Sequence, residues 1–129
     1  MSIRVLIADD HRIIRDGLLL LFTKHPQIEV VGEAVNGREA VTLTDDLLPD
    51  VVVMDITMPI LDGPGATEQI IARHPATRVV ALSMHTEQYF QDKMRGAGAS
   101  GYVAKEAAWD NLVDAIEAVV DGKTCFLDG

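Results

Sequence analysis

Polar residues that could act together on a cation or a phosphate follow four of the apolar runs in this sequence. They are Asp9 and Asp10 after the first run, Asp55 after the third, Ser83 after the fourth and Lys105 after the fifth. Three carboxylates brought into one place repel one another unless a cation holds them. These residue types therefore indicate a cation site, with a hydroxyl and an ammonium group beside it.

The apolar runs have the length of β-strands, and a helix-length segment separates each run from the next. The runs are Ile3–Ala8, Ile28–Ala34, Val51–Met54, Val79–Leu82 and Tyr102–Ala104. The second and third are rich in Val, and the third is apolar without alternation, which indicates strands buried on both faces of a parallel sheet. Five strands alternating with five helices predict an α/β fold.

Helix faces and helix ends agree with this interpretation. Apolar side chains share one face of the first helix at Ile14, Leu18 and Leu21, and one face of the last at Leu112, Ala115, Ile116 and Val119. The prolines after His25, Leu48 and His74 each predict the end of a helix before a strand. The pair Asn36-Gly37 indicates a turn.

Ligands of open parallel sheets bind outside the carboxyl ends of the strands, so the five polar residues are expected to meet in one crevice. Taken alone, Asp10 or Ser83 could instead cap a following helix, and Lys105 could be a surface charge. Mg²⁺ suits the carboxylates because it prefers oxygen ligands and commonly keeps phosphate oxygens as well. Such a site suits phosphoryl transfer, with Asp55 as a nucleophile that forms an aspartyl phosphate.

Composition limits the remaining possibilities. The 129 residues (14.0 kDa) are 48% hydrophobic with a mean hydropathy of +0.16, which predicts one domain with a packed core. The net charge of −9 predicts that the chain binds neither nucleic acid directly nor an anionic membrane. A single cysteine, Cys125, excludes an internal disulfide, and the N-terminus has no signal-peptide pattern, so we expect a reducing, cytoplasmic location.

Two glycine motifs and the histidines are interpreted as structural. The run Gly96 to Gly101 satisfies G-x-G-x-x-G, but it follows a helix and precedes a strand, which favours a helix C-cap and a turn. Gly122-Lys123-Thr124 resembles the end of a P-loop whose first glycine is replaced by Glu117. The four histidines are not paired at helical metal-ligand spacing, so each is expected to be solvated or locally bonded: His11, His25, His74 and His85.

Residues Ile3 to Asp121 resemble the receiver domain of two-component response regulators. The resemblance depends on Asp9-Asp10, the segment Asp55 to Gly63, Ser83, and the segment Gly101 to Lys105. Features similar to the NarL/FixJ (LuxR-type) branch are Asp9-Asp10-His11, Arg15, Gly17-Leu18, Gly32-Glu33-Ala34 and Asn36 to Ala40. The resemblance implies a doubly wound, flavodoxin-like (βα)5 sheet of five parallel strands in the order 2-1-3-4-5.

The resemblance also implies roles for individual residues. Asp9, Asp10, Asp55 and the backbone carbonyl of Thr57 would hold Mg²⁺, and Asp55 would accept the phosphoryl group. Ser83 and Lys105 would sense the phosphorylated state. Tyr102 resembles the aromatic switch that turns inward when Ser83 moves, although a half-buried place on an edge strand explains a tyrosine nearly as well. Thr57 and His85 occupy positions that tune dephosphorylation.

The expected function is a phosphoacceptor switch with only weak autophosphorylation and autodephosphorylation activity, not a metabolic enzyme. The expected partners are a sensor histidine kinase, a C-terminal helix-turn-helix domain and, on phosphorylation, a second copy of the chain. Residues 1–121 would form the receiver and residues 122–129 the start of a linker, with the output domain outside this chain. A stand-alone receiver that acts by protein–protein interaction is the alternative.

Two further classes are disfavoured. An aspartate-nucleophile phosphohydrolase of the haloacid dehalogenase kind needs a second Asp two residues after the nucleophile, where this chain has Thr57. A pseudo-receiver would have lost an acid, the hydroxyl or the lysine, and all are present. Compared with the family pattern, Glu106 replaces the proline that commonly follows the lysine, and Pro64-Gly65 follows Gly63.

Overall fold

Strands and helices alternate as the spacing of the apolar runs predicts. The computed structural model describes residues 2–127 and shows five strands and five α-helices in that range. The strands are β1 (Ile3–Ala8), β2 (Ile28–Ala34), β3 (Val51–Asp55), β4 (Arg78–Ser83) and β5 (Gly101–Ala104). The helices are α1 (Arg12–Thr23), α2 (Gly37–Leu47), α3 (Gly63–Arg73), α4 (Gln88–Ala97) and α5 (Ala108–Val120), with a 3₁₀ turn over Lys105–Ala107.

The five strands form one parallel sheet in the order β2-β1-β3-β4-β5, which confirms the predicted fold. Side chains of α1 and α5, among them Leu18 and Ile116, pack on one face of the sheet. Side chains of α2, α3 and α4, among them Val41, Ile70 and Met94, pack on the other. Because β3 lies between β1 and β4, its carboxyl end is the centre of the edge where a ligand would bind.

The two Val-rich strands, β2 and β3, differ in how far their residues are buried. Every residue of β3 is buried, as predicted, whereas the interior of β2, from Glu29 to Glu33, is partly exposed. The prediction that the second run is buried on both faces is wrong because β2 is an edge strand.

Within residues 2–127, none of the helices has the length and apolar character needed to cross a bilayer.

The start of α2 corrects the interpretation of Asn36-Gly37 as a turn. Asn36 is the N-cap of this helix, and its side-chain oxygen accepts a hydrogen bond from the Glu39 amide at 2.8 Å. Glu39 in turn accepts one from the Val35 amide at 3.2 Å, which completes a near capping box. The glycine-rich run ends α4 as predicted, because Gly98 is its C-cap with a left-handed φ of 108°.

The loop between Asp55 and α3 is held against the end of β3. The Gly63 amide donates to the Ile56 carbonyl at 2.8 Å, and a Cβ at Gly63 would lie only 2.3 Å from the Asp55 carbonyl oxygen. Only glycine fits this approach of two backbone segments. The Asp62 side chain caps α3 through the Gly65 amide, so the loop that includes Thr57 has both ends fixed.

The segment after α5 pairs with the outer edge of β5. Cys125 forms a parallel bridge with Gly101, and its carbonyl accepts the Tyr102 amide at 2.8 Å. Phe126 packs against the core on the α4 side, with the Arg95 guanidinium 4.2 Å from its ring centre. The interpretation of residues 122–129 as the start of a linker stays a prediction, and Asp128 and Gly129 lie outside the described residues.

Candidate functional site

The predicted polar residues lie at the carboxyl ends of β1, β3, β4 and β5. Asp9 follows β1, Asp55 and Ser83 end β3 and β4, and Lys105 follows β5. Lys105 Nζ lies 2.8 Å from Asp9 Oδ2 and 3.4 Å from Asp55 Oδ2. The sheet therefore brings an ammonium group from one strand between carboxylates from two others, as the strand-end argument predicts.

The two inner carboxylates are almost inaccessible to solvent. The side chains of Asp9 and Asp55 are 1% and 5% exposed, and that of Lys105 is 7% exposed. Although Lys105 is within ion-pair distance, Asp9 Oδ2 and Asp55 Oδ2 accept no well-directed hydrogen bond. Two buried negative charges thus face one buried positive charge, and an unbalanced site of this kind attracts a further cation.

The protonation of Asp55 reflects this environment. Burial raises the pKa of the Asp55 carboxyl from the ordinary 3.8 to about 6, and the neighbouring Asp9 carboxylate acts in the same direction. Lys105 and the Thr57 backbone amide lower the pKa and offset part of the rise. The carboxylate is therefore the main form at pH 7, but its ionisation in the folded state is unfavourable compared with that of an exposed aspartate.

Asp10 and His11 form the outer part of the site. The Asp10 side chain is 33% exposed, and its Oδ1 lies 3.2 Å from His11 Nδ1. That nitrogen also lies 2.9 Å from Asp9 Oδ1 and 3.8 Å from Asp55 Oδ2. The expectation of a local bond for His11 is confirmed through Asp9, but the place of His11 in the acidic cluster was not predicted from the sequence. Its position directly after the acidic pair was the available signal.

Arg15 is a second residue near the site, and no role for it there was predicted from the sequence. Its guanidinium donates to the Asp9 carbonyl at 2.8 Å and to the Glu33 carboxylate at 3.1 Å. Because Arg15 is in the first helical turns of α1, it ties this helix to the segment that follows β1. Arg15 therefore fixes the backbone of Asp9 through its carbonyl oxygen.

Ser83, Tyr102 and the backbone of His85 form a hydrogen-bonded group beside the acidic cluster. Ser83 Oγ accepts the His85 amide at 3.0 Å, and the Tyr102 hydroxyl donates to the His85 carbonyl. Tyr102 is 1% exposed, so the half-buried placement that was the alternative to a switch role is wrong, and the ring already lies inside. Burial raises the pKa of the Tyr102 phenol, which keeps the hydroxyl proton available as a donor.

The opening above Asp55 is lined by the residues that are predicted to tune dephosphorylation. Thr57 and His85 border this opening together with His11, Ser83 and Lys105. The Thr57 side chain is exposed, and the His85 ring stacks on Phe90 with 4.2 Å between the ring centres. His74 lies elsewhere, where its Nε2 contacts Asp45 at 2.7 Å.

The donor set suits a divalent cation. One ligand atom from each of Asp9, Asp10, His11 and Asp55 can be chosen so that all four lie within 4.8 Å of one another. Two of these carboxylates, those of Asp9 and Asp55, direct a buried oxygen at the one ammonium group of Lys105. Carboxylate oxygens are the ligands that Mg²⁺ prefers, so the residues present fit the ion that the resemblance implies.

A doubly wound parallel sheet with an acidic cluster and a lysine at the carboxyl ends of its strands defines a flavodoxin-like α/β domain with a charged strand-end site. Residues 5–117 match the response regulator receiver domain, and the chain belongs to that family. The chain is thus a receiver domain of two-component response regulators.

Relatives of known sequence agree with the NarL/FixJ branch and with transcription regulation. The chain is 38% identical over 121 residues to the transcriptional regulatory protein DegU of Brevibacillus brevis, covering 94% of this chain and 51% of the relative. It is 39% identical over 128 residues to MctR of Rhizobium johnstonii, covering 99% and 60%. The chain therefore spans between half and three-fifths of the length of these curated relatives.

Solved structures give the same assignment. A LuxR-family response regulator of an Aurantimonas species superposes with a TM-score of 0.92 at 39% identity, covering 97% of this chain and 89% of the other. The receiver domain of a NarL regulator from Mycobacterium tuberculosis gives a TM-score of 0.90 at 30% identity, covering 95% and 98%. The predicted family, branch and strand order are confirmed.

Proposed function

We propose that this domain accepts a phosphoryl group on Asp55 from a phosphohistidine of a sensor kinase and then changes conformation to control a C-terminal DNA-binding domain. The observation that carries the proposal is the Asp55 carboxylate at the end of the central strand, with Lys105 Nζ at 3.4 Å and Asp9 beside it. In the transfer, an Asp55 oxygen forms a bond to phosphorus while the phosphorus–nitrogen bond of the donor breaks.

The carboxylates of Asp9, Asp10 and Asp55 and the backbone carbonyl of Thr57 would hold Mg²⁺. The bound ion would supply neutralisation of the phosphoryl oxygens. Lys105 supplies one positive charge from the protein itself, and its 7% exposure keeps that charge poorly screened by water. The tightly packed Gly63 loop fixes the backbone of Asp55, which supports a contribution of positioning to the transfer.

The residues that border the opening above Asp55 support slow hydrolysis of the aspartyl phosphate. Thr57 has no carboxylate or carboxamide with which to orient an attacking water, and the His85 ring is stacked on Phe90. These features support a phosphorylated state that lasts minutes or longer in the isolated domain.

Phosphorylation of Asp55 should be directly measurable. Incubation of the domain with Mg²⁺ and acetyl phosphate is expected to add the mass of one phosphoryl group, because the site itself positions and neutralises the transferring group. The Asp55→Asn variant should gain none, whereas Asp45→Asn, which changes an acid paired with Arg73 and His74, should gain one. Intact-mass spectrometry checks this, and the same adduct on Asp55→Asn would exclude Asp55 as the acceptor.

Ser83 is expected to pass the phosphorylation signal to Tyr102. An acyl phosphate carries about two negative charges and new acceptor oxygens, which attract the Ser83 hydroxyl proton. Because Ser83 Oγ accepts the His85 amide and His85 accepts the Tyr102 hydroxyl, movement of Ser83 changes the surroundings of Tyr102. The amide NMR shifts that beryllofluoride causes near Tyr102 should therefore shrink in Ser83→Ala while those around Asp55 persist.

Ser100→Ala provides the matched control for that experiment. Ser100 directly precedes β5, at the end of the strand that lies away from Lys105 and the acidic cluster. Its beryllofluoride shifts should equal those of the wild type. Wild-type shifts at Tyr102 in the Ser83→Ala domain would show that the signal leaves the site by another route.

A further inference from the structure

Residues 125–127, the tail segment, are held by two different elements of the domain. Cys125 pairs with the outer edge of β5. Phe126 packs against the core on the α4 side, and the Leu127 amide donates to Gln91 Oε1 at 3.1 Å. The hold on Cys125 is therefore part of the sheet, whereas the hold on the next two residues depends on side chains of α4.

The Gln91 carboxamide is almost completely buried and is hydrogen-bonded at both of its ends. Gln91 is 3% exposed and lies with Met94 on the buried side of α4. Its oxygen accepts the Leu127 amide, and its nitrogen donates to the Thr86 carbonyl at 3.4 Å. Burying a carboxamide is unfavourable unless it is hydrogen-bonded, so packing alone would favour an apolar side chain at this position. The carboxamide therefore links two backbone segments that are distant in the sequence.

Thr86 belongs to the loop that is hydrogen-bonded to Ser83. This β4–α4 loop, residues 84–87, includes the His85 amide, which donates to Ser83 Oγ at 3.0 Å. In the proposed function, the Ser83 hydroxyl turns towards the phosphoryl oxygens, so the His85 amide loses this acceptor. The loop then rearranges next to Thr86, whose 3.4 Å hydrogen bond to Gln91 is long and easily broken.

We propose that Gln91 is a positioning residue that couples the β4–α4 loop to the tail segment, so that phosphorylation loosens the tail segment. When the Thr86 carbonyl moves away, the Gln91 side chain loses this hydrogen bond and no longer holds its oxygen in line with the Leu127 amide. Phe126 and Leu127 are then released from α4, while Cys125 stays paired with β5. The inference rests on the proposed function and names the hydrogen bonds through which the state of the site reaches the residues after α5.

Exchange of the Leu127 amide with water, measured by NMR magnetisation transfer, reports the hold on the tail segment. In the wild type, beryllofluoride should accelerate this exchange by about fivefold, which is the effect expected from the net contribution of one hydrogen bond. In Gln91→Met, which keeps the length of the side chain without the carboxamide, exchange should be fast with and without beryllofluoride. The shifts that beryllofluoride causes around Asp55 should persist in this variant.

The matched control is Gln88→Met, the same substitution at an exposed position of α4. The Gln88 side chain donates to Asp92 on the same helix at 2.8 Å. Leu127 exchange in this control should respond to beryllofluoride as it does in the wild type. An equal response in Gln91→Met and the wild type would overturn the proposal, because the tail segment would then be released without Gln91.

Reciprocal coupling separates this role from a purely structural one. If beryllofluoride weakens the hold on the tail segment, a variant that has already lost the hold should bind beryllofluoride more tightly by the same factor. An NMR titration of Gln91→Met should therefore show an affinity for beryllofluoride that is about fivefold higher than that of the wild type. A substitution that only disturbs packing would leave this affinity unchanged or lower it, and either result would overturn the proposal.

Phe126→Ala tests the same coupling without altering the buried side of α4, which matters if Gln91→Met does not fold. The substitution removes the half-buried ring that lies under the Arg95 guanidinium. The variant should show fast Leu127 exchange and a raised affinity for beryllofluoride. Fast exchange together with an unchanged affinity would show that the tail segment is not coupled to the site, and would overturn the proposal.

Failure of this inference is distinguishable from failure of the proposed function. If beryllofluoride shifts the amides around Asp55 of the wild type but leaves Leu127 exchange unchanged, the phosphoryl site is supported and the coupling through Gln91 is wrong. If beryllofluoride shifts no amide around Asp55, the proposed function is wrong and the coupling is wrong with it.

Discussion

The Asp55→Asn domain is expected to be more stable than the wild type at pH 7 in the absence of divalent cations. Burial and the Asp9 charge raise the pKa of Asp55 from 3.8 to about 6, so ionising this group is harder in the folded than in the unfolded chain. A rise of that size corresponds to about 3 kcal/mol of lost stability. Asparagine has nearly the same shape without the charge, so the Asp55→Asn variant should recover most of this lost stability.

The pH dependence of this difference follows from the direction of the shift. Between pH 3.8 and about 6 the folded state binds more protons at Asp55 than the unfolded state does. The contribution of Asp55 to the free energy of unfolding therefore falls as the pH rises through this window, and stays low above it. The advantage of Asp55→Asn should be largest at pH 7 and should shrink towards pH 4.

Urea unfolding with EDTA at pH 4.5 and pH 7, followed by circular dichroism, measures the difference directly. Asp114→Asn, which alters an exposed acid on α5, is the control and should follow the wild type at both values of pH. If Asp55→Asn is more stable than the wild type by the same free energy at pH 4.5 and at pH 7, the charge of Asp55 is not the cause of the difference. The expected result would mean that the site stores unfavourable charge that a cation can relieve, a common relation between function and stability.

The strand ends explain why much of the site could be predicted from the sequence. Parallel strands meet at one edge, so residues that follow apolar runs converge, whatever the details of packing. Asp9, Asp55 and Lys105 are brought together for this reason, and the buried run Val51 to Met54 indicated the central strand. The roles of these residues in phosphoryl transfer stay proposals.

Features that depend on neighbours in space were harder to predict. Val-rich composition did not distinguish the edge strand β2 from the central β3, because both sequences favour strands equally well. Tyr102 is fully buried in the core, and the outer edge of its strand pairs with the segment around Cys125, a contact that no local pattern indicates. The place of His11 depends on a side-chain rotation that its helix N-cap position leaves open.

The start of α2 was predicted as a turn because Asn36-Gly37 is compatible with both a turn and a helix N-terminus. Asn36-Gly37 is a frequent turn sequence, but Glu39 follows at the spacing of a capping box. Glycine after an N-cap does not prevent a helix, and here Gly37 packs against the Leu61 backbone, where a Cβ would not fit. Counting the acid three residues after Asn36 would have favoured the helix start.

Lys105→Met is expected to destabilise the metal-free domain at pH 7 by about 3 kcal/mol, because removal of one partner leaves buried charges uncompensated. Methionine keeps the length and the apolar stem of the side chain, so the loss reports mainly the charge. Lys105 is the ammonium group within 2.8 Å of Asp9 and 3.4 Å of Asp55. Lys93→Met, which removes an exposed ammonium on α4, should cost much less.

The origin of that loss can be isolated with a double-mutant cycle. If the destabilisation of Lys105→Met arises from facing carboxylates, it should be smaller by at least about 1 kcal/mol in an Asp55→Asn background, where one of them is neutral. Because Lys105 lowers the pKa of Asp55, its removal should raise that pKa above about 6, so acidification should restore more stability to Lys105→Met than to the wild type. Urea unfolding of the four proteins at pH 5 and pH 7 gives both quantities. A loss that is equal in both backgrounds would assign Lys105 a packing role and leave the charge of Asp55 to be balanced by other groups.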